Sequence, residues 1–208
     1  MRVIEHPDPG SAELDEVRVA LERGELVVVP TDTVYGIAAL ATDEAAVRRL
    51  YELKQRPLDQ ATAVIFPTVA ALREQLPWLG VRANWAVQSL LPGPWTLIVA
   101  NPDGHFPWLT GGRAAPLGVR VPAGALELPP IAATSANTSG QPTAETVQEL
   151  EETLTAQLSV AVDHGVLPRA AESTVLDLAA WEDGGEVRVL RDTAGRAGQA
   201  LAVLASVP

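Results

Sequence analysis

The sequence contains a single lysine, which stands two positions before an arginine. Lys54 and Arg56 belong to the segment KQRP, and every other Lys or Arg position of the chain is an arginine. In an extended segment, side chains two residues apart lie on the same side at roughly 7 Å. An ammonium and a planar guanidinium at that spacing could hold two phosphates of one polyphosphate. The alternative is a helix end, because the helix dipole favours cations near the C-terminus.

A second polar segment, TSANTSG, begins at Thr134 directly after the apolar residues 131–133. Ser135 and Asn137 are two positions apart, so both side chains can face one cleft. Small hydroxyls together with backbone N–H groups form a natural seat for an anion. The alternative is a turn rich in Ser, Thr and Asn that leads into the next helix.

A third polar segment, TDTVYG, starts at Thr31 just after an apolar, β-branched run. Ligands of open α/β sheets bind at such strand ends, and Thr31 and Tyr35 offer hydroxyl groups there. The alternative is a turn in which Thr and Asp bond to their own backbone. Three lesser candidates follow: Ser173 opens a strand, Arg191 ends one, and Arg120 stands inside one, where a buried charge must be paired.

Hydrophobic periodicity predicts the elements that position these segments. Helices are predicted at 11–24, 42–53, 68–76, 84–91, 143–158 and 196–205. Strands are predicted at 26–30, 62–66, 95–100, 118–122, 131–134, 159–162, 173–178 and 187–190. Strands interleaved with helices predict an α/β fold with an open, twisted sheet, and we expect one domain over residues 1–208.

The composition excludes several classes of protein. The chain has no cysteine, which rules out disulfides and thiolate chemistry, and its three histidines show no metal-ligand spacing. No apolar run is long enough to cross a bilayer and no secretion signal is evident, so we expect no membrane association and a cytoplasmic location. The net charge of −11 argues against extensive nucleic-acid binding, because phosphate affinity needs many Lys and Arg contacts.

Six segments, in this order, resemble the YrdC-like family of threonylcarbamoyl-AMP synthases in its short bacterial form. They are PTDTVYG, KQRP, LLPGPWTLIV, GVRVP, TSANTSGQPT and STVLDL, and the resemblance runs from about Val27 to Arg191. Each segment alone is weakly specific, whereas six in order are highly specific. The resemblance implies a YrdC-like α/β fold with a twisted, open mixed sheet, flanking helices and a concave positive face.

The resemblance also implies an activity. Members of the family make L-threonylcarbamoyl-adenylate from L-threonine, bicarbonate and ATP, and release pyrophosphate. A separate threonylcarbamoyl transferase complex then modifies the adenosine beside the anticodon of tRNAs that read ANN codons. We therefore expect a nucleotidyltransferase that uses ATP with Mg²⁺ and binds tRNA weakly if it binds tRNA directly.

The family's functional residues carry over onto positions of this chain. The hallmark tetrad, which we expect to be catalytic and to bind ATP, falls on Lys54, Arg56, Ser135 and Asn137. Arg191 is expected to assist in binding ATP. The residues expected to bind threonine are Thr31, Tyr35, Arg120 and Ser173. No protein side chain is predicted to bind a metal directly.

Two positions depart from the family pattern. Ile65 stands where members often have a histidine, which bears on the contact with threonine. Thr193 stands where a glycine usually occurs two residues after the position of Arg191, which bears on the geometry of the following loop.

Two rival functions are compatible with the same fold. A non-catalytic module that binds tRNA or double-stranded RNA would use the concave face. The acidic net charge and the presence of only two Phe and two Tyr disfavour it, although there are five Trp. A carbamoyl-adenylate-forming enzyme of the same family starts from carbamoyl phosphate and carries a Cys-rich zinc segment, which a chain without cysteine cannot have.

Overall fold

Helices and strands follow one another along the chain. The computed structural model describes residues 1–8, 10–112, 115–138, 143–167 and 172–207. Its strands are β1 (Arg2–Glu5), β2 (Val27–Pro30), β3 (Tyr35–Leu40), β4 (Val64–Ile65), β5 (Trp95–Val99), β6 (Leu117–Arg120), β7 (Ile131–Ser135), β8 (Val160–Asp163), β9 (Thr174–Asp177) and β10 (Arg188–Arg191). Its helices are α1 (Ala12–Glu22), α2 (Glu44–Leu53), α3 (Val69–Gln75), α4 (Val81–Leu90), α5 (Glu152–Thr155) and α6 (Ala197–Leu204), with a 3₁₀ turn at Val147–Glu149. No helix within these ranges combines the length and the apolar character that a membrane span requires.

In this part of the chain the ten strands form one mixed sheet, as predicted. The order across the sheet is β1-β8-β2-β3-β7-β4-β6-β5-β9-β10. The pairs β1–β8, β2–β8, β4–β6 and β5–β9 are parallel, and the other pairs are antiparallel. Parallel neighbours need long crossover connections. Strands from distant parts of the sequence, β7, β4, β6, β5 and β9, therefore lie side by side.

Helices α1 and α2 begin at polar caps. Ser11 Oγ accepts a hydrogen bond from Leu14 N at 3.3 Å, and Asp43 Oδ1 accepts one from Ala46 N at 3.0 Å. Such caps satisfy N–H groups that have no partner within the helix. The sequence predicted Thr42 as the cap of α2, and the structure corrects this to Asp43, whose negative charge also suits the helix dipole.

The core occupies both faces of the sheet. Helices α2, α3, α4 and α6 pack on one face, where they form the larger apolar cluster. Helix α1 packs on the other face against β8, β2 and β3, with Leu14, Val17 and Leu21 fully buried. The 11 residues of α1 span about 16 Å, enough to cover three or four strands. The remaining strands of that face are left open.

Several elements differ from the sequence predictions. Strands β1 and β3 were not predicted, and β3 reads YGIAAL, in which glycine and alanine give a weak strand signal. The predicted helix at 143–158 is the 3₁₀ turn and the short helix α5, because Leu150 and Glu151 have non-helical ψ angles of 134° and 137°. The Glu151 carboxylate accepts hydrogen bonds from the main-chain N–H and hydroxyl of Thr138 instead. The other predicted elements are confirmed within a few residues.

Helix α4 begins three residues earlier than predicted. Glu182, from the loop after β9, accepts hydrogen bonds from Arg82 N at 3.1 Å and Ala83 N at 3.2 Å. This carboxylate supplies from another part of the chain the cap that the sequence before α4 lacks. A cap at such a sequence distance leaves no local signal.

Leu50 tests the packing of α2 on the sheet. Its side chain is fully buried, so the Leu50→Ala substitution should leave a cavity and lower the free energy of unfolding by about 2–5 kcal/mol. Leu58, just beyond the helix, is 53% exposed, and Leu58→Ala should change that free energy by about 0.5 kcal/mol or less. Urea denaturation of both variants measures the difference. Equal losses would contradict this packing.

Candidate active site

The open half of the sheet face forms a cleft of about 580 Å³. A volume of this order is typical of small-molecule sites. Successive side chains of a strand point to opposite faces, and the cleft is lined by alternate residues of neighbouring strands. These alternate pairs are Thr96 and Ile98 on β5, Gly118 and Arg120 on β6, and Ser173 and Val175 at the start of β9. The intervening residues, such as Leu97 and Val119, are fully buried in the core behind.

Gly118 forms part of the floor of this cleft. A Cβ atom at this position would lie 3.2 Å from the Cβ of Ala63, which also lines the cleft. This separation is shorter than ordinary van der Waals contact. The backbone of β6 is therefore exposed to a ligand here, with no side chain in between.

The sequence predicted an extended K-x-R segment, with a helix end as the alternative. The segment forms a turn at the end of helix α2, so the alternative is correct. Lys54 caps the helix, and Gln55 has a φ angle of 50°, a conformation more usual for glycine. Gln55 N donates to Glu52 O at 3.0 Å and Arg56 N donates to Tyr51 O at 2.8 Å, the two bonds of a Schellman motif. Lys54 and Arg56 both line the cleft. The segment is thus a helix C-terminus and part of the cleft at the same time.

Lys54 joins this helix end to the turn that follows β7. Its Nζ donates to the main-chain oxygen of Ser135 at 2.6 Å, to the main-chain oxygen of Asn137, and to Asn137 Oδ1 at 3.0 Å. Three acceptors use all three protons of an ammonium group, and Lys54 is only 6% exposed. Lys54 therefore holds the turn in place and offers its charge, rather than an unused N–H, to a ligand.

The charge of Lys54 is sensitive to its surroundings. Burial and the neighbouring Arg56 guanidinium lower the pKa of Lys54 to about 8, while Glu151 acts in the opposite direction. A bound anion would favour the charged form and raise this pKa again.

Arg56 is oriented by the loop that follows it. Its Nε donates to Gln60 O at 3.3 Å and its Nη2 to Ala61 O at 2.6 Å. The centre of the guanidinium lies 5.7 Å from the centre of the Tyr51 ring. Tyr51 is a further side-chain hydrogen-bond partner of the guanidinium. Since a guanidinium has five N–H donors, Arg56 is the cation at this end with donors to spare.

Ser135 and Asn137 meet Lys54 and Arg56 at one end of the cleft, as predicted. Ser135 Oγ donates to Asn137 Oδ1 at 2.6 Å, and Asn137 N donates to Ser135 O at 2.9 Å. The turn is also held by strand β3, because Ala136 N donates to the main-chain oxygen of its first residue at 2.8 Å. Residues 139 and 140, which close the predicted TSANTSG segment, lie outside the described residues.

Arg120 is paired, as its place inside a strand predicted. Its Nη2 lies 2.8 Å from Asp32 Oδ1, and the two side chains are 14% and 10% exposed. Burial lowers the pKa of Arg120, although Asp32 acts against this effect. Burial likewise raises the pKa of Asp32, with Arg120 opposing. The partner lies 88 residues earlier in the chain and was not predicted.

Arg191 and Ser173 lie at the same end of the cleft as Arg120. Arg191 Nε and Nη2 donate to the main-chain oxygen and Oγ of Ser173 at 3.0 and 2.9 Å, and Nη1 lies 3.1 Å from Glu172 Oε2. Ser173 Oγ also lies 2.9 Å from Thr96 Oγ1. Thr193 Oγ1 contacts the main-chain oxygen of Glu172 at 3.4 Å, so the loop after Arg191 is held without the glycine of the family pattern.

Thr31 is not among the residues that line the cleft, and its predicted contact with threonine stays a prediction. Its Oγ1 donates to Val34 O at 2.7 Å and accepts from the N–H groups of Thr33 and Val34 at 3.2 and 3.1 Å. The segment is the hairpin turn between β2 and β3, and the alternative of a turn bonded to its own backbone is correct for Thr31. The turn instead brings Thr33 and Val34 to the cleft.

Tyr35 also lies outside the cleft. Its side chain is fully buried, and its hydroxyl bonds to Asp163 Oδ1 at 3.1 Å and to the main-chain oxygen of Gly165 at 2.8 Å. His164 N donates to the same hydroxyl at 2.9 Å. Burial raises the pKa of Tyr35 to about 12. The predicted threonine contact is thus corrected to a structural link between β3 and the end of β8.

Some polar residues of the cleft were missed by the sequence analysis. They are Thr33, Thr62, Thr96, Thr134, Thr143 and Glu172. Thr96 stands in an apolar strand, as Arg120 does, and the same reasoning could have found it. Ile65 lines the cleft where relatives often have a histidine, so this wall is apolar.

The described residues offer little to a resident metal ion. They contain no group of three acidic or histidine side chains in a metal-binding arrangement. Glu172 is the one carboxylate among the described residues that line the cleft, and it is paired with Arg191. A divalent cation would therefore need a ligand, such as a polyphosphate, that brings its own oxygen atoms.

The titration of Lys54 can be measured directly, because this residue is the single lysine. A protein labelled with ¹³C in its lysine side chain should give one ε-carbon signal in the NMR spectrum, titrating with a pKa of about 8. Arg56→Gln removes a neighbouring positive charge and should raise this pKa toward 10.5. Arg48→Gln, on the solvent side of the same helix, should leave it unchanged. A pKa near 10.5 in the unsubstituted protein would contradict the burial of the ammonium.

Residues 19–193, more than four fifths of the chain, match the model of the Sua5/YciO/YrdC family, whose description reads "Telomere recombination". Threonylcarbamoyl-AMP synthase of Pyrococcus abyssi is 34% identical over 179 residues, which cover 80% of this chain and 52% of that protein. Threonylcarbamoyl-AMP synthase of Xanthomonas axonopodis pv. citri is 30% identical over 192 residues, which cover 86% of this chain and 97% of that protein. The chain thus spans about half the length of the first relative and nearly all of the second.

A solved structure shares the fold. The crystal structure of P. abyssi Sua5 complexed with L-threonine matches with a TM-score of 0.73 and 31% identity, over 92% of this chain and 57% of that one. The family match spans both ends of the cleft, from the K-x-R segment to Arg191. The sequence match, the shared fold and the residues of the cleft lead to one conclusion: the chain belongs to the Sua5/YciO/YrdC family.

Proposed function

We propose that the protein is a threonylcarbamoyl-AMP synthase, a nucleotidyltransferase that makes L-threonylcarbamoyl-adenylate from L-threonine, bicarbonate and ATP. The observation that carries the proposal is a single cleft with two cationic ends, Lys54 and Arg56 at one and Arg120 and Arg191 at the other. A triphosphate needs several cations, and the carboxylate of an amino acid needs one. Relatives that bear this name, and a relative solved with L-threonine, support the assignment.

The end with the tetrad suits the phosphates of ATP. Arg56 has a donor without a described partner, and Ser135 supplies a hydroxyl that can turn from Asn137 to a phosphate oxygen. Lys54 adds a buried positive charge behind the turn, where the low dielectric strengthens its effect on an anion. Arg191 would reach the nucleotide from the other end of the cleft.

The end with Arg120 suits the amino acid. Arg120 would pair with the carboxylate of threonine, and Ser173 and Thr33 supply hydroxyl groups beside it. Ile65 offers an apolar surface to the methyl group of the substrate. Threonine would thus be held with its amine toward the centre of the cleft, between the two cationic ends.

The reaction needs no protein nucleophile. The threonine amine attacks carbon dioxide and loses a proton, or attacks bicarbonate, whose C–O bond breaks to release water, and either route forms a carbamate. A carbamate oxygen then attacks the α-phosphorus of ATP. The bond from the α-phosphorus to the bridging oxygen breaks, and pyrophosphate leaves with the electron pair. Such a transfer depends mainly on positioning and on neutralising charge, which the arginines and hydroxyls of the cleft can provide.

Mg²⁺ enters this proposal as part of the nucleotide substrate. It would be held by phosphate oxygens and water, which suits a cleft whose one described carboxylate is already paired. The adenylate product would pass to a separate transferase complex that modifies tRNA. The chain itself would bind tRNA weakly at most, because of its net charge of −11.

Arg56 is expected to be essential for the reaction. Arg56→Ala should lower the rate of pyrophosphate release by roughly a hundredfold or more, because it removes a charge-assisted donor from the transferring phosphates. Arg48→Ala is the matched control, since Arg48 lies on the same helix and pairs only with the exposed Glu44 among the described residues. A pyrophosphate-release assay with ATP, threonine and bicarbonate measures both. Turnover near wild type in Arg56→Ala would reject the assignment.

Omission of single substrates tests the proposed reaction as a whole. Pyrophosphate release should require ATP, L-threonine and bicarbonate together and fall to background when any one is left out. Filter binding with tRNA at physiological salt tests the rival function. A chain that holds RNA tightly yet releases no pyrophosphate would overturn the proposal in favour of an RNA-binding module.

A further inference from the structure

Arg120 has an unusual environment within the cleft. One of its terminal nitrogens, Nη2, donates to Asp32, and Nε is buried without a partner in the described part of the chain. Nη1 makes no described hydrogen bond and is not among the buried unpartnered atoms, so it is the nitrogen that reaches the cleft surface. A guanidinium is planar, and fixing one of its nitrogens fixes the direction of the others.

Asp32 holds this arrangement from behind the cleft. Its side chain is 10% exposed and is not among the residues that line the cleft. Its Oδ2 atom is buried without a hydrogen-bond partner among the described residues. Burying a carboxylate in this way is costly unless it compensates a charge, and Arg120 is the cation it contacts.

Thr31, the residue before Asp32, closes the hairpin turn. The Oγ1 of Thr31 already makes the hydrogen bonds that close the turn, to the main chain of Thr33 and Val34. The closed turn gives the Asp32 carboxylate a fixed position beside Arg120, where the main-chain N–H groups of Ala123 and of Asp32 itself also stabilise its negative charge. Thr33, the next residue, lines the cleft, so the same turn places a hydroxyl beside the guanidinium that it orients.

The neighbouring Arg191 explains why Arg120 needs its contact with Asp32. Arg191 lies close enough to Arg120 to lower its pKa by repulsion, and it is itself fixed by Ser173 and Glu172. Two guanidinium groups on one wall of the cleft repel each other, and an anion beside them offsets this repulsion. Asp32 supplies that anion before any substrate has bound.

We infer that Asp32 is a positioning residue that keeps Arg120 Nη1 directed into the cleft and thereby sets the affinity for the carboxylate of the amino-acid substrate. This inference rests on the proposed function. It concerns a residue that acts through Arg120, and its effect is selective for the amino acid. The triphosphate would be held by Lys54 and Arg56 with help from Arg191, and none of these three has a described hydrogen bond or ion pair with Asp32.

Asp32→Asn tests the inference, because it removes the charge and keeps the size. We expect the Kd for L-threonine to rise roughly tenfold or more, because Arg120 loses the charged hydrogen bond to the Asp32 carboxylate that fixes its orientation. The Kd for MgATP and the kcat at saturating threonine should change less than about twofold. Isothermal titration calorimetry gives both Kd values, and the pyrophosphate assay gives KM and kcat.

Asp177→Asn is the matched control. Asp177 is a buried carboxylate that pairs with Arg188 on the outer strands, and neither residue lines the cleft. Its loss should affect thermal stability without affecting the Kd for threonine. If Asp32→Asn fails to fold, Asp32→Ser, which leaves room for a water molecule, serves the same comparison.

Each outcome decides one question. If the unsubstituted protein binds threonine and Asp32→Asn binds it equally well, the inference is overturned and the proposed function stands. If Asp32→Asn raises the Kd for threonine and the Kd for MgATP alike, the role of Asp32 is merely structural and the inference is overturned. The same holds if Asp177→Asn raises the Kd for threonine as much. If the unsubstituted protein binds no threonine, the proposed function fails first, and the inference with it.

Discussion

A buried ammonium joins the two segments of the chain that form one end of the cleft. Lys54 ends helix α2 and gives its three protons to oxygens of Ser135 and Asn137, more than eighty residues away. A charge in this position is costly unless all of its partners are present. The helix end, the end of strand β7 and the turn after it must therefore form together. This contact fixes the turn that carries the hydroxyl of Ser135, while the loop at Gln60 and Ala61 orients Arg56 beside it.

The sheet explains how the two ends of the cleft belong to one surface. Strands β7, β4, β6, β5 and β9 are neighbours, and their alternate residues face the cleft while the others are buried in the core. Side chains on packed strands are placed more accurately than side chains on long loops. Arg120 and Arg191 are thus held by strands of this sheet, and the turn with Lys54 and Arg56 is tied to the same sheet through the end of β7.

The sequence predicted the chemistry of the tetrad better than its local geometry. Periodicity and apolar runs were enough for most strands and helices, but YGIAAL has too little β-branched character to reveal β3. The amphipathic pattern of 143–158 was mistaken for one helix, because the Glu151 contact with Thr138 that interrupts it is not a periodic feature. Thr31 and Tyr35 were assigned to threonine from their position after a strand and from the family resemblance, and neither signal shows that other groups of the fold already bind both hydroxyls. The pairing of Asp32 with Arg120 depends on strand topology, which no local pattern reports.

Gly118 gives the cleft a property that its polar residues do not. The cleft is deeper at this point because Gly118 has no Cβ atom. A Cβ placed there would lie 3.2 Å from the Cβ of Ala63. Such a carbon would push on β6 two residues before Arg120, and it would raise the floor under a ligand as well. The space that the site offers a ligand at this point therefore depends on the absence of a side chain at position 118.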